Sequence, residues 1–215
     1  MTALLPGTAR EARRYAEQWL AHLKRDPRGL PVPWINAWGP ETAQTTRIDY
    51  DPWARSFAVF LDDHGDEPDF RRQNMGRQRQ AMIAGLCQVC AREVPWSRRN
   101  LVISSISVRT VDVTGSGRMT VVSEPWLDDR CAAIATQLCP ALIRRRDTDD
   151  LIVYRVTSPR QAQLAISTGI LDPERLVAQS GGTEQARAAA DRLVEQSATY
   201  GNLAMWAKVH LLRPQ

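Results

Sequence analysis

The sequence predicts an α+β fold, and two observations carry that prediction. Helical and strand-like segments follow in the order helix, strands, helix, hairpin, helix, strand, helix, strand, which is not the regular alternation of a doubly wound sheet. A composition of 43% hydrophobic and 24% charged residues is typical of a folded globular chain. The 215 residues suffice for one substantial core or two small domains.

Capping signals and periodicity place the elements of the first half. Thr8 and Glu11 have capping-box spacing ahead of apolar residues at helical intervals, so a helix begins near residue 9. Prolines exclude a helix from the following segment, LPVPWINAWGPE. The predicted elements are a helix near 9–24, a strand RSFAVFL at 55–61, a turn DDHGDEPDF at 62–70 and a helix at 71–85.

The second half predicts a hairpin, a short helix and a final group of elements. The segments NLVISSISV and GRMTVVS predict two paired strands whose tip is at 114–117. Asp128 or Asp129 is suited to cap the helix DRCAAIATQLC, which Pro140 ends. The remaining predictions are a strand LIVYRV at 151–156, a helix near 183–197 and a last strand LAMWAKVHLL at 203–212.

A mixed run of charges at 144–150 is the strongest candidate for a domain boundary, with a solvated loop as the alternative. We therefore predict that residues 1–146 form an N-terminal helix and a cysteine-bearing core. Residues 147–215 then form a small C-terminal α/β unit packed on that core. A single domain is the alternative arrangement.

The charge and hydropathy of the chain limit its expected partners and its expected location in the cell. The formal net charge of +4 permits a nucleic-acid partner without requiring one. The N-terminal residues show no apolar stretch of signal-peptide length, and no run approaches the roughly 18–20 residues that span a bilayer. We expect a cytosolic protein with no membrane partner. Because thiols stay reduced in the cytosol, the four cysteines of the chain indicate metal or redox chemistry and not a disulfide framework.

Helix geometry selects among the cysteines. Cys87 and Cys90 form a C-x-x-C pair, whose short turn directs two thiolates at one point. Cys131 and Cys139 lie eight residues apart, about 12 Å along a helix axis at about 1.5 Å per residue, so one metal ion cannot reach both unless the helix breaks. Asp128 shares a helix face with Cys131 at the i, i+3 spacing.

The preferred set of zinc ligands is therefore Cys87, Cys90, Asp128 and Cys131. A knuckle, a hairpin and a helix in this order predict a treble-clef-like zinc site, and Cys139 is expected to be a core residue at the helix end. Two alternatives stay open for the cysteine pair. Reduced cysteines also pack as small buried hydrophobes, and C-x-x-C pairs also serve redox chemistry, although that role favours a pair that opens a helix.

The segments LCQVC and SEPWLDDRCAAIATQLCPAL resemble a group of uncharacterised proteins common in actinobacteria and their phages. That group carries L-C-x-V-C-G, a β-hairpin and then E-P-P-x-H/C-x-x-C-A-x-x-A-x-x-x-C-P-x-L. The matching positions are Cys87, Cys90, Cys131, Cys139 and Pro140. Asp128 stands at the family's His or Cys, and Ala91 stands at its glycine. The resemblance covers about half of the chain and implies a zinc knuckle with no established activity.

Catalysis at this metal is not expected, because the three histidines, His22, His64 and His210, lie outside the predicted hairpin and helix. Trp96 with Arg98 and Arg99 is the position best suited to base stacking and phosphate contact. The leading hypothesis is a non-catalytic, zinc-stabilised binding protein that contacts a protein or nucleic acid. The alternative is an enzyme of unknown reaction, of the kind that serves specialised metabolism, whose pocket lies between the two units.

Overall fold

The computed structural model describes residues 8–40, 42, 44–104, 109–113, 117–122, 124–159, 162–169, 171–179, 181–200 and 203–212. The helices are α1 (Ala9–Trp19), α2 (Met75–Ala84), α3 (Asp129–Leu138), α4 (Pro140–Asp147), α5 (Pro173–Gln179) and α6 (Glu184–Tyr200). The strands are β1 (Asn36–Trp38), β2 (Thr46–Asp51), β3 (Ser56–Leu61), β4 (Pro68–Gln73), β5 (Arg99–Ser104), β6 (Arg109–Val113), β7 (Gly117–Val122), β8 (Leu127–Asp128), β9 (Leu151–Val156), β10 (Ala162–Gly169) and β11 (Leu203–Leu212). The mixture of helices and mainly antiparallel sheets confirms the α+β prediction.

The predicted capping box begins α1. The Thr8 side chain accepts a hydrogen bond from the Glu11 amide at 3.4 Å, and the Glu11 carboxylate accepts one from the Thr8 amide at 3.1 Å. The helix ends at Trp19, five residues before the predicted end, because the chain turns toward Asp26. The Asp26 carboxylate accepts from the Leu30 amide at 2.9 Å and organises the turn that follows.

The first half holds more strand than its sequence predicts. The acidic segment predicted as a turn ends in β4, which pairs antiparallel with β1, and α2 begins only at Met75. The Asn74 side chain caps α2 by accepting from the Arg77 amide at 3.2 Å. Unpredicted β2 pairs antiparallel with β3 over the full length of both strands. The sequence of β2, TRIDYD, contains three charged residues and no apolar run, so its local pattern does not indicate a strand.

The hairpin differs from the prediction. β7 pairs with β6, which begins at Arg109, and the tip at 114–116 lies outside the described residues. The strand predicted as its partner is β5, which belongs to a separate three-stranded sheet between β8 and β9. The described part of the segment NLVISSISV therefore lies on β5, and the strand that pairs with β7 begins just after this segment, at Arg109.

The C-terminal strands complete sheets that begin earlier in the chain. β9 pairs antiparallel with β5 along six residue pairs. β11 pairs with β10 along its length and also with β3 and β7, so it runs through the middle of the six-stranded sheet. These pairings join strands from both sides of the predicted boundary. The division into 1–146 and 147–215, with a single domain as the alternative, stays a prediction. None of the helices in the described parts of the chain is long and apolar enough to cross a membrane.

Two large hydrophobic cores and a small third cluster around Ala58 lie in the described residues. The first core surrounds the cysteines and takes buried side chains from α1, α2, α3, β5, β7, β8 and β9. The second packs α5 and α6 against β3 and β11 and includes Val59 and Leu203. The cysteines therefore lie where seven elements meet, while the C-terminal helices pack against the larger sheet.

Candidate metal centre

Three cysteines meet in the first core. The sulfur atoms of Cys87, Cys90 and Cys131 all lie within 4.8 Å of one another. The three residues are 0%, 1% and 0% exposed, so the cluster is closed to solvent. The structure thus brings together the three cysteines that helix geometry selected from the sequence. Buried thiols in this arrangement could hold a metal ion.

The local backbone explains how Cys87 and Cys90 face one point. α2 ends at Gly85 in the left-handed conformation with φ 70°, and Leu86 then pairs with Glu93 across a tight turn. We call residues 86–93 the knuckle. The Cys87 amide donates to the Arg92 carbonyl at 2.8 Å, which closes the turn. Ala91 has φ 59°, a left-handed conformation that favours glycine and that residues with a Cβ atom seldom adopt.

The third cysteine arrives on the first turn of α3. Asp128 caps this helix, because its carboxylate accepts from the Arg130 amide at 3.0 Å. The Asp128 backbone amide donates to the Cys87 sulfur at 3.4 Å. The Trp19 indole nitrogen donates to the Cys131 sulfur at 3.3 Å, so α1 also contacts the cluster. Such N–H···S bonds favour the thiolate form of cysteine.

The Asp128 carboxylate is placed differently from the three sulfur atoms. Among the described residues, the group of mutually close ligand atoms comprises the three cysteines without Asp128. The Asp128 carboxylate instead caps α3 and pairs with the Arg98 guanidinium at 3.4 Å. Asp128 is only 3% exposed and adjoins the cluster through its amide. Its role as the fourth ligand stays a prediction.

Cys139 lies outside the cluster, at the junction of two helices. α3 ends at Leu138, and Pro140 occupies the first turn of α4. Pro140 therefore ends one helix, as predicted, and also begins another, since its fixed φ suits a first turn. The Cys139 thiol is partly exposed rather than buried in the core.

Mutual contact perturbs the three clustered thiols. Hydrogen bonds from Cys131 and Cys87 lower the pKa of Cys90. Burial raises the pKa of Cys87, and the contacts with Cys87 and Cys90 raise the pKa of Cys131. Without a cation, burial and the mutual contact of the three thiols therefore disfavour ionisation of all three at once. A divalent cation at the centre reverses this preference and favours three thiolates.

Two arginines lie beside the cluster. The guanidinium carbons of Arg92 and Arg130 are 4.0 Å and 4.5 Å from the Trp19 ring, so both cations stack against one indole. Neither arginine forms an ion pair with a carboxylate in the described residues. Both arginines are exposed to solvent, and the Arg92 charge contributes to lowering the pKa of Cys90.

The predicted nucleic-acid contacts are engaged within the molecule. Arg98 pairs with Asp128, as described above. The Arg99 guanidinium stacks on the Trp96 ring at 3.8 Å and donates to the Val94 carbonyl at 2.8 Å. Burial lowers the pKa of Arg99. Trp96 also packs edge-on against Trp126 at 5.8 Å between ring centroids. Nucleic-acid binding by Trp96, Arg98 and Arg99 stays a prediction.

A cavity of about 310 Å³ adjoins the knuckle. Its lining residues fall between Pro33 and Arg145, so it lies within the first predicted unit rather than between the two units. The contact of Trp19 with Cys131 and this cavity were both missed by sequence reasoning. Trp19 and Cys131 are 112 positions apart, and no local spacing relates them.

Comparisons with known proteins do not assign a family or a function to the chain. No protein-family model, no curated protein and no solved structure matches the chain. The site therefore defines the protein only as one with a buried three-cysteine cluster that could hold a metal ion.

Proposed function

We propose that the protein is a non-catalytic binding protein stabilised by a structural zinc ion in a treble-clef-like knuckle. The single observation that supports this proposal is the closed cluster of Cys87, Cys90 and Cys131. One zinc ion there joins the knuckle to α3, and the Trp19 indole extends the connection to α1. A metal that joins distant segments stabilises the folded chain directly.

Zinc is the cation that this donor set favours. Thiolates bind zinc at about 2.3 Å, and a tetrahedron with that bond length separates the sulfur atoms by about 3.8 Å. The three sulfur atoms lie within 4.8 Å, so small side-chain movements complete the geometry. Structural zinc sites are closed to solvent, in agreement with the burial of all three cysteines. Three thiolates and one Zn²⁺ carry one net negative charge, which Arg92 and Arg130 offset.

Metal content tests the proposal. Elemental analysis of protein purified without chelators should give about one equivalent of zinc, and Cys87→Ser should lower it sharply. Cys139→Ser is the matched control, because Cys139 lies outside the cluster and should keep full zinc content. Wild-type protein with less than about a tenth of an equivalent would defeat the zinc proposal.

We further propose Asp128 as the fourth ligand, and two substitutions separate this role from helix capping. Asp128→Ser keeps a capping side chain but removes the carboxylate, whereas Asp128→Ala removes both. If the carboxylate binds zinc, both variants should lose zinc to a competing chelator at lower concentrations than wild type. If only the Ala variant is weakened, Asp128 is a cap and a water or another group completes the site.

The proposed partner is a nucleic acid or a protein with an acidic surface. Arg92 and Arg130 support this choice, since their stacked guanidinium groups have no carboxylate partners in the described residues. Binding to random-sequence DNA and RNA should weaken with salt and with Arg92→Gln plus Arg130→Gln. No binding to either at low salt would exclude the nucleic acid and leave the protein partner.

A further inference from the structure

The cavity beside the knuckle is lined by apolar side chains and by three arginines. Its volume of about 310 Å³ is at the lower end of the range of small-molecule sites. The lining side chains are apolar residues Pro33, Ile35, Phe70, Val89, Val102, Leu127, Ala135 and Leu142, and polar or charged residues Asn36, Arg71, Arg72, Gln73, Gln88, Glu124, Cys139 and Arg145. The eight apolar side chains suit a ligand with a short hydrocarbon chain.

The wall formed by the knuckle is held by hydrogen bonds on both sides. Gln88 and Val89, the two residues inside the C-x-x-C pair, both line the cavity. Their carbonyls accept from the Ile35 and Trp34 amides at 3.0 Å and 2.9 Å. The Gln88 side chain donates to the Pro125 carbonyl at 3.1 Å. The cavity wall is therefore fixed by the same turn that positions the cysteines.

The charges around the cavity favour an anion. Arg72 pairs with Asp69 at 3.4 Å, and Arg145 pairs with Asp150 at 3.2 Å. Arg71 forms no ion pair in the described residues, so its charge is uncompensated. The lining of the cavity thus contains these three arginines and a single carboxylate, that of Glu124.

Glu124 contributes less negative charge than an exposed carboxylate. The Gln73 side chain donates to one Glu124 oxygen at 2.7 Å. Burial raises the pKa of Glu124, which favours its neutral form. The neutral acid is also a hydrogen-bond donor, so it would not repel an anionic headgroup.

We propose that this cavity binds a small organic anion with a short aliphatic body, either a carboxylate or a phosphate monoester. The arginines provide charge-assisted hydrogen bonds to the headgroup, and apolar lining residues such as Ile35, Val89 and Leu142 pack against the hydrocarbon. This site is distinct from the metal cluster and from the protein or nucleic-acid surface proposed above.

A matched set of probes tests the proposal on the full chain. Hexanoate, hexyl phosphate, hexanol and hexylammonium share one hydrocarbon length and differ in headgroup. Calorimetric titration should show saturable binding of hexanoate, hexyl phosphate or both, with much weaker binding of hexanol and none of hexylammonium. The difference between the two anions identifies the preferred headgroup.

Cys139 is a second, native readout, because its partly exposed thiol lines the cavity while the other three cysteines are buried. Iodoacetamide should alkylate Cys139 selectively, as located by peptide mass spectrometry, and the bound anion should slow that reaction. Arg71→Gln with Arg145→Gln should weaken anion binding about tenfold or more. Arg13→Gln with Arg14→Gln removes the same charge from the exposed face of α1 and should leave binding unchanged.

Three results would overturn the proposal. Equal binding of all four probes would identify an apolar cavity without anion preference. Absence of calorimetric binding, together with a Cys139 reaction rate that no probe changes, would show that the cavity takes none of them. Equal loss of affinity in both double arginine variants would assign the effect to overall charge. Zinc content is measured on the same samples, so a failure of the metal proposal stays separate from a failure here.

Discussion

At the residue scale, the cluster depends on a side chain that no spacing in the sequence indicates. Trp19 donates its indole N–H to the Cys131 sulfur and carries Arg92 and Arg130 on its ring. One side chain thus donates a hydrogen bond to a clustered sulfur atom and stacks with two cations. Groups of this kind commonly set how tightly a metal ligand binds.

Replacing Trp19 by Phe keeps an aromatic ring and removes the N–H donor. We expect Trp19→Phe to weaken zinc binding about tenfold, within the range found for lost partners of metal ligands. Titration with a chromophoric zinc chelator measures the change. Trp53→Phe is the control, since Trp53 is 43% exposed and belongs to neither core. An unchanged zinc affinity in Trp19→Phe would show that the indole only packs against the cluster.

Glu124 gives a pH-dependent prediction at the same scale. Its folded pKa is raised above the ordinary 4.5, so the protonated form stabilises the fold and this contribution is lost as pH rises above about that value. Glu124→Gln keeps a neutral side chain at every pH and should be more stable than wild type at neutral pH. The difference in free energy of unfolding should shrink toward pH 4.5, as urea titrations at several pH values would show. A constant difference across this range would contradict the prediction.

Residue-level geometry was predictable where it depends on one helix. The rise per residue excluded a shared metal for Cys131 and Cys139, and the structure separates these two thiols. The rule for capping residues also marked Asp128, which caps α3. The Asp128 carboxylate can bind a metal only at the expense of its contacts with the Arg98 guanidinium and the Arg130 amide. The balance between these contacts depends on the tertiary structure. Sequence spacing alone does not determine it.

At the element scale, helix α2 is held to the larger sheet by a buried ion pair. The Arg79 guanidinium donates to the Asp51 carboxylate at 2.5 Å, and these residues are 0% and 1% exposed. Arg79 also donates to the Val59 carbonyl at 2.8 Å and lies over the Phe60 ring. The Asp51 carboxylate accepts from the Trp53 amide at 2.9 Å. The pair therefore fixes α2 against both β2 and β3.

Removing one charge of this pair should be strongly destabilising. Asp51→Asn keeps an acceptor for the Trp53 amide and leaves the Arg79 cation buried without its counter-ion. We expect a loss of about 3–5 kcal/mol in the free energy of unfolding, as for other broken buried pairs. Urea unfolding measures it. Asp51→Asn with Arg79→Met removes the stranded cation and should recover part of the loss, and a double variant no more stable than Asp51→Asn would contradict this account.

The elements that the sequence predicted share strong local signals, and those it missed do not. β3, β9 and β11 are continuous apolar or β-branched runs, and α3 has both a cap and a small-residue face. β4 is rich in charge and begins at a proline, which argues locally for a turn. It is a strand because β1 supplies its hydrogen-bonding partner. Strand pairing of this kind depends on residues far away in the sequence, so the local sequence pattern does not predict it.

At the scale of the whole molecule, the two halves of the chain share their sheets. β11 provides partners for β3 and β7, and β9 provides the partner for one edge of β5. A fragment that ends at 146 would leave these strand edges unpaired and would lose the second core's α5 and α6. The charged run that marked a boundary in the sequence instead lies largely on α4. Its three arginines lie in the last turn of α4, where positive charges interact favourably with the helix dipole. They therefore stabilise a helix and do not mark a linker.

This interleaving predicts that the chain unfolds as one cooperative unit. Far-ultraviolet circular dichroism follows all elements, whereas fluorescence follows the seven tryptophans, of which only Trp206 lies beyond residue 146. Coincident urea transitions from the two signals are therefore expected, and the 1–146 fragment should show no cooperative transition. Chelation of the metal should lower Tm of the whole chain by about 10 °C or more, since each kcal/mol lost shifts Tm by roughly 2–4 °C at this size. Two separated transitions, with only the fluorescence-detected one sensitive to chelator, would instead show that residues 1–146 fold independently.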